Sequence, residues 1–189
     1  MNLSKKTTIY LTSKDSNSKL EKIPERQISM NSKAELKSIR LHTNHPRQKI
    51  LGFGGAFTEA SASIYDQLDK NKKSEIIEAY FGKNGNQYNM GRTHINSCDF
   101  SLGNYALCET EDRKLADFSI QRDKKMLIPF IKAALKKSSV PIHIMASPWS
   151  PPPWMKTNNQ MNHGGKLKEE YQNTWAEYYC CLLYTSDAA

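Results

Sequence analysis

The chain carries 189 residues, a formal net charge of +8, 38% hydrophobic and 24% charged side chains, a composition that folds in water as one domain of ordinary size or two small ones. No apolar run approaches the ~18 residues of a bilayer span, and the lysine pairs at 5–6, 72–73, 124–125 and 136–137 are scattered without interleaved aromatics, so neither a transmembrane segment nor a nucleic-acid interface is read. The four cysteines, Cys98, Cys108, Cys180 and Cys181, offer no CxxC pair and no cysteine–histidine spacing suited to zinc, so free thiols are expected, with no metal and no cofactor.

The opening MNLSKKTTIY has basic residues but no apolar stretch behind them; no secretion signal is read, and the cytoplasm is the default expectation. Residues 1–47 are predicted to supply N-terminal strands of a small β-domain. Thr7–Thr12 and Leu36–His42 alternate as strands do, and the stretch between them, with Pro24, reads as loop. The character changes at residue 48. Lys49-Ile50-Leu51-Gly52-Phe53-Gly54-Gly55 reads as a short apolar strand running into glycines. Thr58 or Ser61 can cap a helix bearing Ile64 and Leu68. Asp69 is an N-cap for a second helix with Ile76, Ile77 and Tyr80 on one face and Gly82 at its end. A second strand is predicted over Gln87–Ile95, a long polar loop over Asn96–Arg122, and a helix over Asp123–Lys137 whose main part starts near Pro129. Val140–Ser147 is a third strand, nearly continuously apolar; Pro148–Lys166 is a second long loop; Leu167, Tyr171, Trp175 and Tyr178 mark a last helix.

Strand, helix, strand, helix, strand, helix predicts an α/β fold with parallel strands and crossover helices. An open doubly wound sheet and a (β/α)8 barrel both fit. A whole barrel takes ~250 residues, so the barrel reading requires a partial one, residues 48–180, of about three strand–helix units. In either architecture sites gather at the C-terminal ends of strands.

Three such ends carry candidate chemistry. Gly52 to Glu59 is neither G-x-G-x-x-G, since Phe57 stands at the third glycine position, nor a Walker loop, since no Lys-Ser/Thr follows; its glycines read as devices for sharp turning and close packing. Glu59, in a helix's first turn, reads as favourable to the dipole rather than as an acid. On the second strand Arg92, His94 and Asn96 alternate onto one face, which would be costly in an apolar layer and suits a polar pocket. Asp99 follows that strand end, where a carboxylate can cap a turn or accept from ligand hydroxyls. The third end, Ala146 to Thr157, sets Trp149 and Trp154 in a stiff proline-rich loop. An indole face packs well on the C–H face of a sugar ring; a polyproline ligand for an SH3-like domain is the competing reading, disfavoured directly after a buried strand. Of the two tryptophans one is expected in the core.

Together GFGGAFTEAS, YNMGRTHINSCDFSLGNY, DKKMLIPFIKAAL and ASPWSPPPWMKTNNQMNHGGKLKEEYQNTWAEYY resemble glycoside hydrolase family 30, the glucosylceramidase family, in order over residues 48–179, and the MNHGG variant resembles bacterial members. The resemblance implies a (β/α)8 barrel paired with a β-domain built from both chain ends. It implies that Asp99 and Trp149 hold the glycone sugar, that Phe100 lines the pocket, and that Arg92 lies beneath the site and orients the catalytic carboxylates, with His94 facing the same pocket. The implied substrate is a β-glucoside, glucosylceramide or a β-glucan such as β-1,6-glucan.

The family's retaining chemistry uses two glutamates ~5–5.5 Å apart, one in an Asn-Glu-Pro motif after the fourth strand and one after the seventh. No Asn-Glu-Pro occurs here, and Glu169, Glu170 and Glu177 fall on the last predicted helix. The sequence therefore reads as an N-terminal fragment lacking the catalytic pair, inactive alone and at best a weak sugar binder. Residues 181–189 do not continue the family pattern and resemble translated adapter sequence, so a non-native tail is expected there.

Overall fold

The computed structural model describes residues 6–27, 42 and 44–187. The chain divides into two compact units, Met1–Lys49 and Ile50–Ala189.

In the first unit, β1 (Lys6–Leu11) and β2 (Glu21–Gln27) pair antiparallel, Leu11 opposite Glu21 and Ile9 opposite Ile23. The connection is closed by the Leu20 N–H donating to the Thr12 hydroxyl (3.0 Å), with Leu20 at a left-handed φ of 53°. β2 lies where a loop was expected, because Pro24 is accommodated by a register shift. Ile9 faces Ile23 but Thr7 faces Arg26, so Pro24 and Glu25 together oppose Thr8. A bulge on an edge strand is where a residue without an N–H fits a sheet. The strand expected over Leu36–His42 lies outside the described residues, apart from His42.

The second unit is built on three parallel strands, β3 (Gly54–Phe57), β4 (Met90–Ile95) and β5 (His143–Pro148), adjacent in chain order. Consecutive neighbours without a reversal of strand order are what barrel winding produces; a doubly wound sheet reverses at its switch point. Helices α1 (Glu59–Gln67) and α2 (Lys70–Phe81) connect β3 to β4, α3 (Leu127–Lys137) connects β4 to β5, and α4 (Gln172–Asp187) follows. Thr58 and Ser61 form a reciprocal capping box at α1, and the Asp69 carboxylate accepts from the N–H groups of Asn71 and Lys72 at α2. Pro129 sits in the first turn of α3, where its missing N–H costs nothing.

One sheet face meets the helices. Phe57 stacks on Phe81 of α2 (5.7 Å) and edge-on to Phe130 of α3 (5.3 Å). Gly91 lies under that ring: a Cβ there would come within 2.7 Å of it, so the glycine is required by close approach. The opposite face carries Met90, Arg92 and Met145, all exposed; in a (β/α)8 barrel this is the inward side. β3 begins later than expected. Ile50, Leu51 and Phe53 are exposed, because the Asn89 side chain occupies the ladder position beside them, accepting from the Phe53 N–H (3.1 Å) and donating to the Leu51 carbonyl (3.1 Å).

The long segment after β4 forms no regular element, yet it supplies much of a second core. Tyr105, Leu107, Cys108, Leu115 and Ile120 pack with Trp154, Met155, Tyr171 and Tyr178. Its backbone is satisfied by side chains and by other loops: Ser97 N–H to Tyr105 O (3.0 Å), Ser119 N–H to Leu107 O (2.7 Å) and Leu107 N–H to the Tyr178 hydroxyl (2.7 Å). α4 runs through Asp187, and Leu182 packs against the same core. All four cysteines are free. Among the described residues no helix is long and apolar enough to cross a membrane.

Candidate functional site

The sheet ends at Asn96, and Asn96 decides where the next residues go. It takes a left-handed φ of 62°, which asparagine tolerates better than most residues, and is almost fully buried at 1% exposure. Its side-chain oxygen accepts from the Leu107 N–H (3.1 Å) and the Tyr178 hydroxyl (2.6 Å), while its Nδ2 donates to the Ser150 carbonyl (2.9 Å). One amide therefore ties the loop after β4, the loop after β5 and α4 together.

Asp99 and Phe100 are the two central residues of a tight turn. Ser101 N–H donates to Cys98 O (2.9 Å), and the Ser101 hydroxyl accepts from the Cys98 N–H (3.0 Å). The turn is fastened to the start of α1 by Ala60 N–H to Phe100 O (2.9 Å) and Leu102 N–H to the Glu59 carboxylate (2.8 Å). Glu59, 4% exposed, is held in turn by Arg122 Nε and Nη2 (2.7 and 3.2 Å). Burial pushes the Glu59 carboxyl up, but the Arg122 and Leu102 hydrogen bonds outweigh it and leave the carboxyl below its usual range. Sequence reasoning gave Glu59 only a dipole role; its position two residues before Ser61 of the capping box was the available signal that it begins a fixed helix.

On the neighbouring strand, Trp149 follows Pro148 and stays 45% exposed, whereas Trp154 is buried, donates from Nε1 to the Cys108 carbonyl (3.1 Å) and packs edge-on against Tyr171 (5.0 Å). The indole N–H explains the choice: a buried tryptophan takes the position with an acceptor. The Arg92 guanidinium lies 5.4 Å from the Trp149 ring centroid and donates to the Ser147 hydroxyl (2.9 Å).

Asp99 and Trp149 line one open cavity of ≈ 530 Å³, with Ser97, Asn104, Met161 and His163 around it, and Arg92 stands against the Trp149 ring. The other two residues singled out from the sequence are elsewhere. Phe100 is 62% exposed and does not line the cavity; its contribution is its backbone carbonyl. His94 does not face this pocket: it is buried, its Nδ1 donates to the Asn96 carbonyl (2.7 Å), and its ring lies edge-on to Tyr105. β4 pairs with β5 in regular register through Ile95, so His94 is set apart by what covers it: the left-handed turn at Asn96 brings a carbonyl back to its ring, and Tyr105 packs beside it. His94 joins an inner polar group in which Tyr105 donates to Asp123 (2.7 Å) and burial raises the Asp123 carboxyl, opposed by that hydrogen bond. Among the described residues no group of three or more His, Cys, Asp or Glu side chains is placed to hold a metal ion. Asn104, Met161, Asn162 and His163, part of the cavity wall, were missed; the Asn-His-Gly-Gly stretch signalled a special loop but not its direction.

Residues 50–187 match the family model of the glycosyl hydrolase family 30 TIM-barrel domain. Over 142 residues the chain is 42% identical to the lysosomal acid glucosylceramidase of Mus musculus, covering 72% of this chain and 28% of that protein. Among solved structures, SrfJ from Salmonella typhimurium superposes with a TM-score of 0.74 at 36% identity, covering 87% of this chain and 38% of SrfJ. The endo-β-1,6-glucanase BT3312 gives 0.69 at 25% identity, covering 78% of this chain and 34% of its own. The chain spans about a third of the length of the curated relatives it matches. The three parallel strands with their helices are thus part of a TIM barrel.

Proposed function

The chain belongs to glycosyl hydrolase family 30, and on that premise we propose that it forms the sugar-gripping part of a retaining β-glycosidase acting on a β-glucosidic bond. In this reading Asp99 accepts hydrogen bonds from hydroxyls of the glycone, charge-assisted and so worth about twice a neutral pair. Trp149 offers its indole face to the C–H face of the pyranose. Arg92 holds the Trp149 ring and lies beneath the reacting carbon, where a cation orients carboxylates. The acid/base and nucleophile glutamates are assigned to barrel strands beyond the three described, ~5–5.5 Å apart as retention requires. Residues 1–47 belong to the companion β-domain and residues from 48 onward to the barrel.

The observation that carries the reading is the shared cavity: an exposed carboxylate and an exposed indole from two different strand ends line the same space, backed by Arg92. The names of similar proteins supply two substrates for the parent protein, glucosylceramide and β-1,6-glucan. The test is hydrolysis of an aryl β-glucoside. The full-length protein is expected to turn it over and the 189-residue chain is not. Turnover by the isolated chain above a blank, abolished by Asp99→Ala, would refute the assignment of the glutamates to other segments.

A further inference from the structure

Sharing no residue with the cavity that holds Asp99 and Trp149, another cavity of ≈ 480 Å³ lies between the sheet and helices α3 and α4. Its two ends differ in chemistry. β5 runs parallel to β4, with Ile144 beside Gly91 and Ala146 beside Thr93, and α3 returns from Leu127 at the strand C-termini to Leu135 at their starts. Thr93, His94 and Asp123 therefore gather at one end of the cavity, and Ile131, Leu135 and Ile144 line the other. From Leu127 to Leu135 the α3 axis covers about 12 Å at ~1.5 Å per residue.

The polar end is unfinished. Among the described residues Thr93 Oγ1 and His94 Nε2 are buried without a hydrogen-bond partner, although buried polar groups as a rule are paired. His94 is 6% exposed, and its Nδ1 carries the proton given to the Asn96 carbonyl (2.7 Å), which leaves Nε2 of the neutral ring an acceptor. The Tyr105 hydroxyl occupies only one oxygen of Asp123 (2.7 Å). Burial raises the Asp123 carboxyl, and a cation at its other oxygen would favour the ionised form. Two acceptors and a hydroxyl at one end call for a head rich in donors, and an ammonium has three donors and no acceptor. A simple packing gap would be apolar throughout, and ordered water would serve the polar end while wetting the apolar wall. Lys132 is the other charged side chain on that wall, where its methylene stem adds to the apolar surface.

We propose that this cavity binds a linear primary alkylammonium of about eight carbons, its head at Thr93, His94 and Asp123 and its tail along α3 toward Leu135 and Ile144, at a site separate from the sugar cavity. The experiment titrates octylamine into the full-length protein by calorimetry at neutral pH, with butylamine, octanol and octanoate alongside. One saturable site is expected for octylamine. Each methylene removed weakens binding about three- to fourfold, so butylamine is expected to bind about a hundredfold more weakly. Octanol and octanoate lack the charge that Asp123 selects and are expected to bind about tenfold more weakly than octylamine. Asp123→Asn keeps an acceptor for the Tyr105 hydroxyl and removes the charge; it is expected to weaken octylamine about tenfold. Leu135 is 44% exposed, so Leu135→Trp leaves the fold intact while its ring covers the tail end, and a loss of about tenfold is expected there too. No saturable octylamine site, octanol or octanoate binding as tightly as octylamine, or an affinity untouched by either substitution overturns the proposal. A glucose-configured iminosugar is expected to bind undisturbed by octylamine; competition between the two would put the amine in the sugar cavity and overturn the separate site, while the glycosidase reading stands.

Discussion

Two polar regions meet at the end of β4, and they spend their hydrogen bonds differently. On the inner side, Asn96, Tyr178, Glu59, Arg122, Tyr105 and Asp123 are bound to one another or to backbone; among the described residues only Thr93 Oγ1 and His94 Nε2 are buried there without a partner. On the outer side, Asp99, Asn104, Asn162 and His163 line open space without protein partners for their side chains. Groups that satisfy each other hold a shape, and groups left unsatisfied on a fixed shape are available to a ligand. Substitutions on the outer side are therefore expected to change activity with little change in stability, and those on the inner side to do the reverse.

The sharpest separation comes from Asp99. In the full-length protein Asp99→Ala is predicted to lower kcat/KM for an aryl β-glucoside about a hundredfold, the order expected for losing charge-assisted bonds to a substrate, with the melting temperature nearly unchanged. Loss of both together would erase the distinction. On the inner side Asn96→Ala is predicted to destabilise the protein by about 2–3 kcal/mol in chemical denaturation, since the Ser150 carbonyl loses its donor, Leu107 loses one of its two acceptors, and the left-handed backbone loses a residue suited to it. A denaturation midpoint equal to wild type would contradict its role as the joint between loops.

Glu59→Gln comes next, at about 1–3 kcal/mol at neutral pH, discounted because the Arg122 side chain is 39% exposed. The pair also sets a pH dependence. Hydrogen bonding holds the Glu59 carboxyl below its ordinary value, so its stabilisation is full above the unfolded-state value, about pH 4, and is lost as pH falls through the lower folded value. The stability gap between wild type and Glu59→Gln should close on acidification; a gap constant down to pH 2 would contradict the ion pair. Asp123, raised by burial and in part by the Glu59 charge, acts in the opposite sense, and the part due to Glu59 is removed in the variant. The smallest effect is Trp149→Ala, predicted to raise KM about tenfold, the order of one aromatic stacking contact. An unchanged kcat/KM would remove the platform.

What the sequence disclosed followed from local rules. Thr58 and Asp69 announced their helices because capping is decided within three residues. The order of strands and helices from Gly54 to α4 was visible in periodicity, and two tryptophans in one proline-rich loop already divided between core and surface. The rest depends on distant partners. Pro24 sits in a strand because Thr8 across the ladder allows a bulge. The stretch Asn96–Arg122 read as polar loop because Tyr105, Leu107, Cys108 and Ile120 are buried without any repeat. His94 is covered by a carbonyl brought back at Asn96. The cavity that holds Asp99 and Trp149 needed the loops after β4 and β5 to meet, and no local pattern encodes that meeting.

The central claim is that Asp99 and Trp149, backed by Arg92, grip a pyranose at the strand ends. A crystal structure of the full-length protein with a glucose-configured iminosugar tests it directly. The account predicts the ring lying on the Trp149 indole with its hydroxyls within ~3 Å of the Asp99 carboxylate. A sugar bound elsewhere, with Asp99 and Trp149 facing only solvent, would contradict it.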